Sequence, residues 1–230
     1  MKIRSLHSWN LTYRDAADLQ ARLAPRIIRK GGPARLRTVA GADVSYDKGS
    51  DLFFAVVLLL EAKTMTVLEE ERASGKSPFP YIPGLLSFRE APLLLRAFRK
   101  IRARPDLVLI DGQGIAHPRG FGLASHLGLL LDIPTVGCAK SVLVGEFDEP
   151  GIEAGDFSKM VYQRKVVGAA LRTRRGVCPI YVSPGHKIGL TPSLRHVLSC
   201  GRGYRLPEPT RLAHHAVNRY RLEQRGRGNR

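Results

Sequence analysis

The chain has 230 residues, of which 43% are hydrophobic and 25% charged, as in a globular protein of one domain or two small ones. Its three cysteines are too few and too widely spaced for a disulfide scaffold or a CxxC zinc site, so we expect free thiols in a reducing cytoplasm. The net charge of +17 favours a polyanionic partner, nucleic acid or an acidic membrane surface, although Arg-rich genome composition is an alternative cause.

The first part of the chain predicts one basic amphipathic helix followed by three strands joined by tight turns. The helix is expected to end at the Gly-Gly-Pro of residues 31–33. The first strand alternates between small apolar and polar residues. The second is apolar throughout, so we expect both of its faces to be covered. The predicted bounds are 13–30 for the helix and 38–46, 52–60 and 65–70 for the strands.

The rest of the chain alternates helices with strands after a Pro-rich loop at 75–84. Hairpins followed by crossover units predict an α/β fold with a mixed central sheet, antiparallel in strands 1–3 and then parallel, flanked by helices. The predicted helices are 87–101, 121–131, 193–201 and 210–222, and the predicted strands are 107–110, 134–137, 165–172 and 180–183.

We expect a single domain over residues 1–222 and a basic, flexible tail over 223–230. The first ten residues have no apolar core, so a secretory signal is not predicted. The longest apolar run, residues 52–60, is too short to span a bilayer. We therefore expect a cytoplasmic protein without a membrane partner.

The charge is unevenly distributed along the chain. Residues 1–40 are net +7 and residues 161–230 are net +13, whereas residues 41–160 are net −3. The acidic middle segment therefore lies between two basic wings, residues 1–40 and 161–230. It also contains the longest apolar runs and the Gly-rich turns.

Three acidic residues break the local pattern of their elements. Asp43 lies inside the first strand, where Asp is disfavoured; the alternative is a satisfied buried polar group or a strand-end residue. Glu90 falls on the apolar face of a helix, but Ser87 three residues earlier also fits a capping box. Asp111 follows the 107–110 strand and precedes a Gly-rich turn, a place where α/β sheets bind ligands; the alternative is a turn Asp.

Together, these carboxylates are expected at one end of a single sheet. Because uncompensated carboxylates repel each other, a cluster of them implies a bound cation. Oxygen ligands without His or Cys pairs favour Mg²⁺ or Mn²⁺ over zinc. An acidic metal site in a chain with basic wings indicates metal-assisted hydrolysis of a phosphodiester.

Other candidate residues lie close to these in sequence. His117 is suited to proton transfer, metal binding or phosphate positioning, although a satisfied loop histidine is an equal alternative. Lys140 is suited to neutralising a phosphate, with a surface lysine as the alternative. The loop around Tyr81 is stiffened by Pro80 and Pro83, as a wedge between stacked bases would require; a loop folded onto the core is the alternative.

The motifs taken together resemble the endonuclease V family of DNA-repair nucleases. The resemblance extends from about residue 10 to about residue 222. It is carried by the segments 42–46, 80–90, 111–119, 122–128, 139–141, 182–186 and 206–211. Val142 is a departure, because many relatives have Arg at that place, which leaves a phosphate contact there open.

The resemblance implies an RNase H-like fold and Mg²⁺-dependent cleavage of DNA at the second phosphodiester bond 3′ to a deaminated base, typically deoxyinosine. The lesion would stay in place, beside a nick with 3′-hydroxyl and 5′-phosphate ends. Mn²⁺ is expected to substitute for Mg²⁺, and we expect a monomer. The implied metal ligands are Asp43, Asp111 and Glu90.

The resemblance also implies roles for individual residues around this centre. Lys140 and His117 would contact the scissile phosphate or the leaving oxygen, and His214 would lie near the metal, although neighbouring His215 leaves that register open. Tyr81 would be the wedge that fills the duplex when the damaged nucleotide is turned out. The segments expected to contact DNA and the flipped purine are Pro80, Tyr81, Ile82, Pro83, Gly84 and Leu85, with Gly112 and Gln113.

Three other functions remain open at this point. A non-catalytic nucleic-acid-binding protein would bind in a salt-sensitive way without cleavage, but it would not need an acidic cluster facing phosphates. A small-molecule enzyme acting on a nucleotide would not need the basic wings. An RNA-preferring inosine-specific ribonuclease is a third alternative, which the sequence does not distinguish from a DNA-cleaving one.

Overall fold

The computed structural model describes residues 1–47, 49 and 51–228, with the backbone alone for residues 226–228. Its centre is one eight-stranded sheet in the order β3-β2-β1-β4-β5-β8-β7-β6. The strands are β1 (Thr38–Tyr46), β2 (Leu52–Glu61), β3 (Val67–Lys76), β4 (Leu107–Ile110), β5 (Thr135–Ala139), β6 (Phe157–Tyr162), β7 (Lys165–Leu171) and β8 (Ile180–His186).

The predicted α/β fold class is confirmed. Strands β1, β2 and β3 pair antiparallel, and β1, β4 and β5 pair parallel. The prediction that all strands after the first three are parallel is wrong for the last three. They extend the sheet with antiparallel pairs from β5 through β8 and β7 to β6. Among the described helices, none is both long enough and apolar enough to cross a lipid bilayer.

Five α-helices cover the sheet in the described part of the chain. They are α1 (Tyr13–Leu23), α2 (Leu86–Lys100), α3 (Leu123–Leu131), α4 (Leu190–Ser199) and α5 (Glu208–Gly228). Helices α2 and α3 pack on one face of the sheet, and α4 and α5 pack on the other. Helix α1 packs outside the first layer, against the loops that follow β3 and β4.

Strand β2 shows why a continuous apolar run was predicted to be covered on both sides. Every residue from Phe53 to Leu60 is buried. Alternate side chains pack against the α2–α3 layer, starting with Phe53, and the others pack against the α4–α5 layer, starting with Phe54. A strand buried on both faces has no polar side to alternate with.

Three predicted elements end elsewhere in the structure, and one strand was not predicted, while the bounds of most other elements differ by only a few residues. Helix α1 ends at Leu23 and continues as a short 3-10 turn, because Pro25 cannot donate within a longer helix. Strand β3 runs on to Lys76 as the partner of β2. Strand β6 was not predicted; it is an edge strand in which Met160 alone is buried, so its hydrophobic pattern is weak. Helix α5 continues through Gly228 rather than ending at Leu222.

The longer α5 bears on the prediction of a domain over residues 1–222 with a flexible tail over 223–230. The backbone of residues 223–228 belongs to α5, where Glu223 pairs with Arg72 and Arg219. Residues 229 and 230 lie outside the described residues. A flexible tail stays a prediction.

Candidate active site

The pairing of β1 with β4 brings two of the predicted carboxylates side by side. The two strands are parallel, and Ala42 pairs with Ile110 at the end of the ladder. Asp43 and Asp111 are the next residues along the two strands. Because parallel strands advance in the same direction, these side chains reach the same edge of the sheet.

Helix α5 lies across the face of β1 that carries Asp43. His214 Nδ1 lies 2.8 Å from Asp43 Oδ2, and one helical turn further the Asn218 side-chain oxygen accepts a hydrogen bond from the Ser45 hydroxyl at 2.9 Å. The hydrogen bond between His214 and Asp43 is the main cause that raises the pKa of His214 above its usual value. His215 is exposed, so His214 is the histidine that faces the carboxylates.

Asp43, Asp111 and His214 fit a divalent cation. One ligand atom from each lies within 4.8 Å of the other two. Each Mg²⁺–ligand bond is about 2.1 Å long, so two ligand atoms stand about 3.0 Å apart at adjacent positions and about 4.2 Å apart at opposite positions. The three side chains would therefore move inward to hold one ion. Carboxylates suit Mg²⁺ and Mn²⁺, and imidazole is common around transition metals. In the part of the chain that the structure describes, this is the one group of three such side chains.

Lys140 provides a positive charge at this centre. Its Nζ donates to Asp111 Oδ2 at 2.5 Å, and the lysine side chain is otherwise well exposed. Burial nevertheless raises the pKa of Asp111, with the Asp43 charge acting in the same direction and the Lys140 bond opposing both. The centre is therefore short of positive charge even with Lys140 in contact.

Glu90 approaches the same centre from α2, on the opposite face of the sheet. Burial, followed by the charges of Asp43 and Asp111, raises the pKa of Glu90 from 4.5 to about 8. The alternative that Glu90 forms a capping box with Ser87 is wrong. Helix α2 starts at Leu86 without a side-chain cap, and the Ser87 hydroxyl is bonded to His126 instead. Glu90 is not one of the three clustered ligands, and its role as a metal ligand stays a prediction.

This pKa predicts how stability depends on pH without metal. Folding raises the pKa of this carboxyl, so the folded state binds its proton more tightly than the unfolded state does. The resulting stabilisation is complete below the unfolded pKa of 4.5 and is lost as the pH rises through the folded pKa of about 8. In EDTA, a Glu90→Gln protein should therefore gain a few kcal/mol in unfolding free energy relative to the parent between pH 5 and pH 9. Urea unfolding at both pH values measures this difference.

The control for that experiment is Glu146→Gln, at an exposed position. Its stability relative to the parent should be the same at both pH values. A constant difference for Glu90→Gln as well would show that Glu90 is not held protonated by its neighbours.

A cavity of about 370 Å³ opens beside the carboxylates. Asp111 and Lys140 line it on one side, and Tyr81, Gly84 and Gly112 line it elsewhere. Within the described residues, the N–H groups of both glycines donate to no acceptor. The positive φ of Gly84 (78°) and Gly112 (155°) is a conformation that favours glycine. Both glycines that line the cavity therefore have backbone N–H groups that no described acceptor uses.

The loop that contains Tyr81 is anchored at both ends and exposed in the middle. Phe79 and Leu85 are buried in the core cluster around α1, whereas Tyr81 is 64% exposed. The guanidinium of Arg89 lies 5.9 Å from the Tyr81 ring centre. The alternative of a loop folded entirely onto the core is therefore wrong, and Tyr81 is free to contact a partner.

The remaining predicted contact residues divide between the cavity and its support. Ile82, Pro83 and Gln113 line the cavity, and the Gln113 amide donates to the Ser141 carbonyl at 2.9 Å. Leu85 is buried and donates its N–H to the Ile82 carbonyl. Pro80 is exposed beside Tyr81.

His117 lies in the cavity wall with both ring nitrogens engaged. Its Nδ1 accepts from the Arg119 N–H at 3.2 Å, so Nε2 carries the proton that it donates to the Gly84 carbonyl at 2.9 Å. Burial, followed by the Arg119 charge, lowers the pKa of His117 to about 4. In this arrangement His117 is neutral and holds the Gly84 loop; its predicted contact with phosphate stays a prediction.

Two further residues complete that support, and neither role was predicted from the sequence. Arg119 Nη2 donates to the Gly84 carbonyl at 2.8 Å, and Arg119 Nε donates to Gln20 Oε1 at 2.6 Å. Gln20 is fully buried and donates to the Phe121 carbonyl at 3.0 Å. A polar residue on the apolar face of α1 was the signal that could have indicated such a role.

Acidic side chains at the carboxyl edge of this mixed sheet, beside a cavity, are the arrangement expected of a metal-dependent nuclease with the predicted RNase H-like fold. Comparisons with known proteins narrow this class. The family model for Endonuclease V matches residues 21–215, and the Endonuclease V of Gloeobacter violaceus is 50% identical over 217 residues, 93% of this chain and 88% of the relative. The chain belongs to the Endonuclease V family.

Solved structures agree with this assignment. The Endonuclease V of Streptomyces avermitilis has a TM-score of 0.90 at 39% identity and covers 97% of this chain and 99% of its own. The Endonuclease V of Ciona intestinalis, in complex with a 24mer DNA containing an inosine followed by a ribo-adenosine, has a TM-score of 0.81 at 28% identity, over 92% and 98% of the two chains. The protein is therefore a nuclease of a metal-dependent DNA-repair family, a hydrolase that acts on DNA.

Proposed function

We propose that this protein recognises deoxyinosine and related deaminated bases in DNA. It then hydrolyses the second phosphodiester bond on the 3′ side and leaves the lesion beside a nick with 3′-hydroxyl and 5′-phosphate ends. The observation that supports this best is the shared wall between the acidic centre and the cavity, to which Asp111 and Lys140 both belong. A base held in the cavity brings its own 3′ backbone next to the carboxylates.

The cavity is suited to a flipped hypoxanthine. Its volume of about 370 Å³ is in the range of small-ligand sites. Hypoxanthine has a carbonyl oxygen where adenine has an amino group, so the free N–H groups of Gly84 and Gly112 would pair with the first and not with the second. A site that hydrogen-bonds one such group rejects an analogue that lacks it, because its donors are then left unpaired.

The residues of the acidic centre divide the chemical work. A divalent cation held by Asp43, Asp111 and His214 would lower the pKa of water and neutralise charge on the phosphate; Mg²⁺ is our proposal, with Mn²⁺ as a substitute. Lys140 is exposed and within reach of Asp111, so it can turn to a phosphate oxygen. We assign Glu90, whose pKa is raised to about 8, to orienting the attacking water. Its ionised form would take the water's proton once a cation offsets the charges of Asp43 and Asp111.

Tyr81 is proposed as the wedge that replaces the flipped nucleotide in the duplex. A Tyr81→Ala protein should lose about tenfold or more of its preference for inosine over undamaged DNA, because stacking on an aromatic ring contributes about 1–3 kcal/mol. Tyr81→Phe should retain the preference, since stacking does not need the hydroxyl. The ratio of nicking rates on the two duplexes measures this effect.

The same assay on the Ala protein has a second readout. Nicking at saturating enzyme should remain, because Tyr81 is not one of the three clustered ligand residues Asp43, Asp111 and His214. An unchanged preference in Tyr81→Ala would contradict the wedge role.

The function is tested by nicking of matched duplexes that carry inosine or adenine at one position, with Mg²⁺, Mn²⁺ or EDTA. We expect cutting of the inosine duplex that depends on metal. Binding without cutting in any metal would favour the non-catalytic alternative. A matched inosine-containing RNA in the same series separates the DNA-cleaving from the RNA-preferring enzyme.

The monomeric state and the cytoplasmic location stay predictions, and the three cysteines are free thiols as expected.

A further inference from the structure

A second concave surface adjoins the base cavity. We name it the hairpin groove; it has a volume of about 310 Å³ and lies between the segment after α1, the loop 115–120 and the β6–β7 hairpin. Among its lining residues are Arg29, Pro118, Arg119, Tyr162 and Lys165. His117 lines both this groove and the base cavity, so the two concave surfaces are neighbours across one side chain.

The hairpin groove is lined by positive charge without a negative counterpart. Arg29, Arg119 and Lys165 line it, and no Asp or Glu is among its described lining residues. Arg29 and Lys165 are exposed and make no ion pair within the described part of the chain. The Arg29 guanidinium lies over Gly120, whose added Cβ would be 3.6 Å from its Nη2. Many other arginines are in ion pairs, as Arg72 and Arg219 are with Glu70.

The groove joins the two basic wings of the sequence. Arg29 comes from residues 1–40, net +7, and Lys165 from residues 161–230, net +13. Folding places these distant segments on either side of the loop that also supports Gly84 through His117 and Arg119. Unpaired cations lining a groove next to a nucleotide cavity are suited to a phosphodiester backbone.

The position of the groove indicates which part of the substrate it takes. Asp111 and Lys140 line the base cavity, but none of Asp43, Asp111, Lys140 or His214 lines the groove. In the proposed reaction the backbone on the 3′ side of the flipped nucleotide passes the acidic centre. We propose that the hairpin groove binds the phosphates on the 5′ side of that nucleotide, through Arg29 and Lys165. This inference rests on the proposed function.

The test compares an Arg29→Ala/Lys165→Ala protein with an Arg35→Ala/Arg195→Ala protein. The control residues are also exposed, and they line a separate groove at the amino end of β1, away from the acidic centre. In single-turnover nicking of an inosine duplex, the hairpin-groove variant should need about tenfold more enzyme for half-saturation, with the saturating rate within about twofold of the parent. The slope of log K against log salt should fall by about 2, because each phosphate contact contributes about 0.9.

Substrate length assigns the contact to one side of the lesion. With a duplex that ends just 5′ of the inosine, parent and hairpin-groove variant should have the same half-saturation, whereas a duplex shortened by the same length on the 3′ side should preserve their difference. The proposal is overturned if the control variant is weakened equally, if the hairpin-groove variant matches the parent on the full duplex, or if the difference survives 5′ shortening.

Failure of this inference is distinguishable from failure of the proposed function. Nicking of inosine over adenine by the parent tests the function alone. The ratio of Kd values for variant and parent, measured in EDTA by anisotropy of a duplex labelled on the undamaged strand, tests the groove whether or not cutting occurs. Equal Kd values on the full duplex overturn the groove, and a raised Kd for the hairpin-groove variant alone supports it.

Discussion

An Asp43→Ala protein is expected to nick inosine-containing DNA at least about a thousandfold more slowly than the parent. The reason is that a coordinated cation contributes several kcal/mol to phosphodiester hydrolysis, and Asp43 supplies one of the three clustered ligand atoms. Asp43 is also the hydrogen-bond partner that raises the pKa of His214. The substitution therefore removes one ligand and releases a second.

Two measurements separate this effect from misfolding. Single-turnover nicking gives the loss of rate, and NMR titration of the His214 ring in EDTA should show its pKa falling from the raised value. Asp18→Ala, at an exposed position of α1, is the matched control and should behave as the parent in both. An Asp43→Ala protein that nicks as fast as the parent would refute the assignment of the metal centre.

A Gly41→Ala protein is expected to lose about 3 kcal/mol or more of unfolding free energy, because overpacking against fixed backbone is among the costliest core substitutions. A Cβ at Gly41 would lie 2.0 Å from the Pro209 carbonyl oxygen at the start of α5. Nothing at that contact is the flexible end of a side chain. Helix α5 must shift away from β1, and it carries His214, so nicking should fall as well.

Gly189→Ala is the control for this experiment. Its added Cβ would meet atoms no closer than 3.6 Å, so loss of stability should be within about 1 kcal/mol. Urea unfolding in EDTA measures both proteins. A Gly41→Ala protein as stable as the parent would show that α5 is not seated on β1 as described.

The elements with strong hydrophobic periodicity could be predicted from the sequence. Strand β1 was predicted with its observed bounds, and the apolar run of β2 correctly indicated a strand covered on both faces. The sequence predicted that Asp43 and Asp111 lie at one end of a single sheet, and the parallel pairing of β1 with β4, which was not itself predicted, places them side by side. Where local pattern and tertiary structure agree, one sequence is sufficient.

The features that could not be predicted depend on contacts between distant segments. Ser87 fits a capping box by spacing, but its hydroxyl is taken by His126, which no local pattern reveals. The choice between His214 and His215 required the rotation of α5 over β1. The Gln20–Arg119 bond joins α1 to the loop after β4 and fixes the Gly84 carbonyl. Strand β6 buries Met160 alone and is held mainly by its partner β7.

The most direct test of the central claim is the position and chemistry of the cut. A duplex with a single inosine, labelled at the 5′ end of the damaged strand, is incubated with the protein and Mg²⁺, and the product is sized beside a sequence ladder. We predict one cut at the second phosphodiester bond 3′ to the inosine, with a nick that DNA ligase seals without prior phosphorylation. A cut on the 5′ side, a cut at undamaged positions, or ends that ligase cannot seal would contradict it.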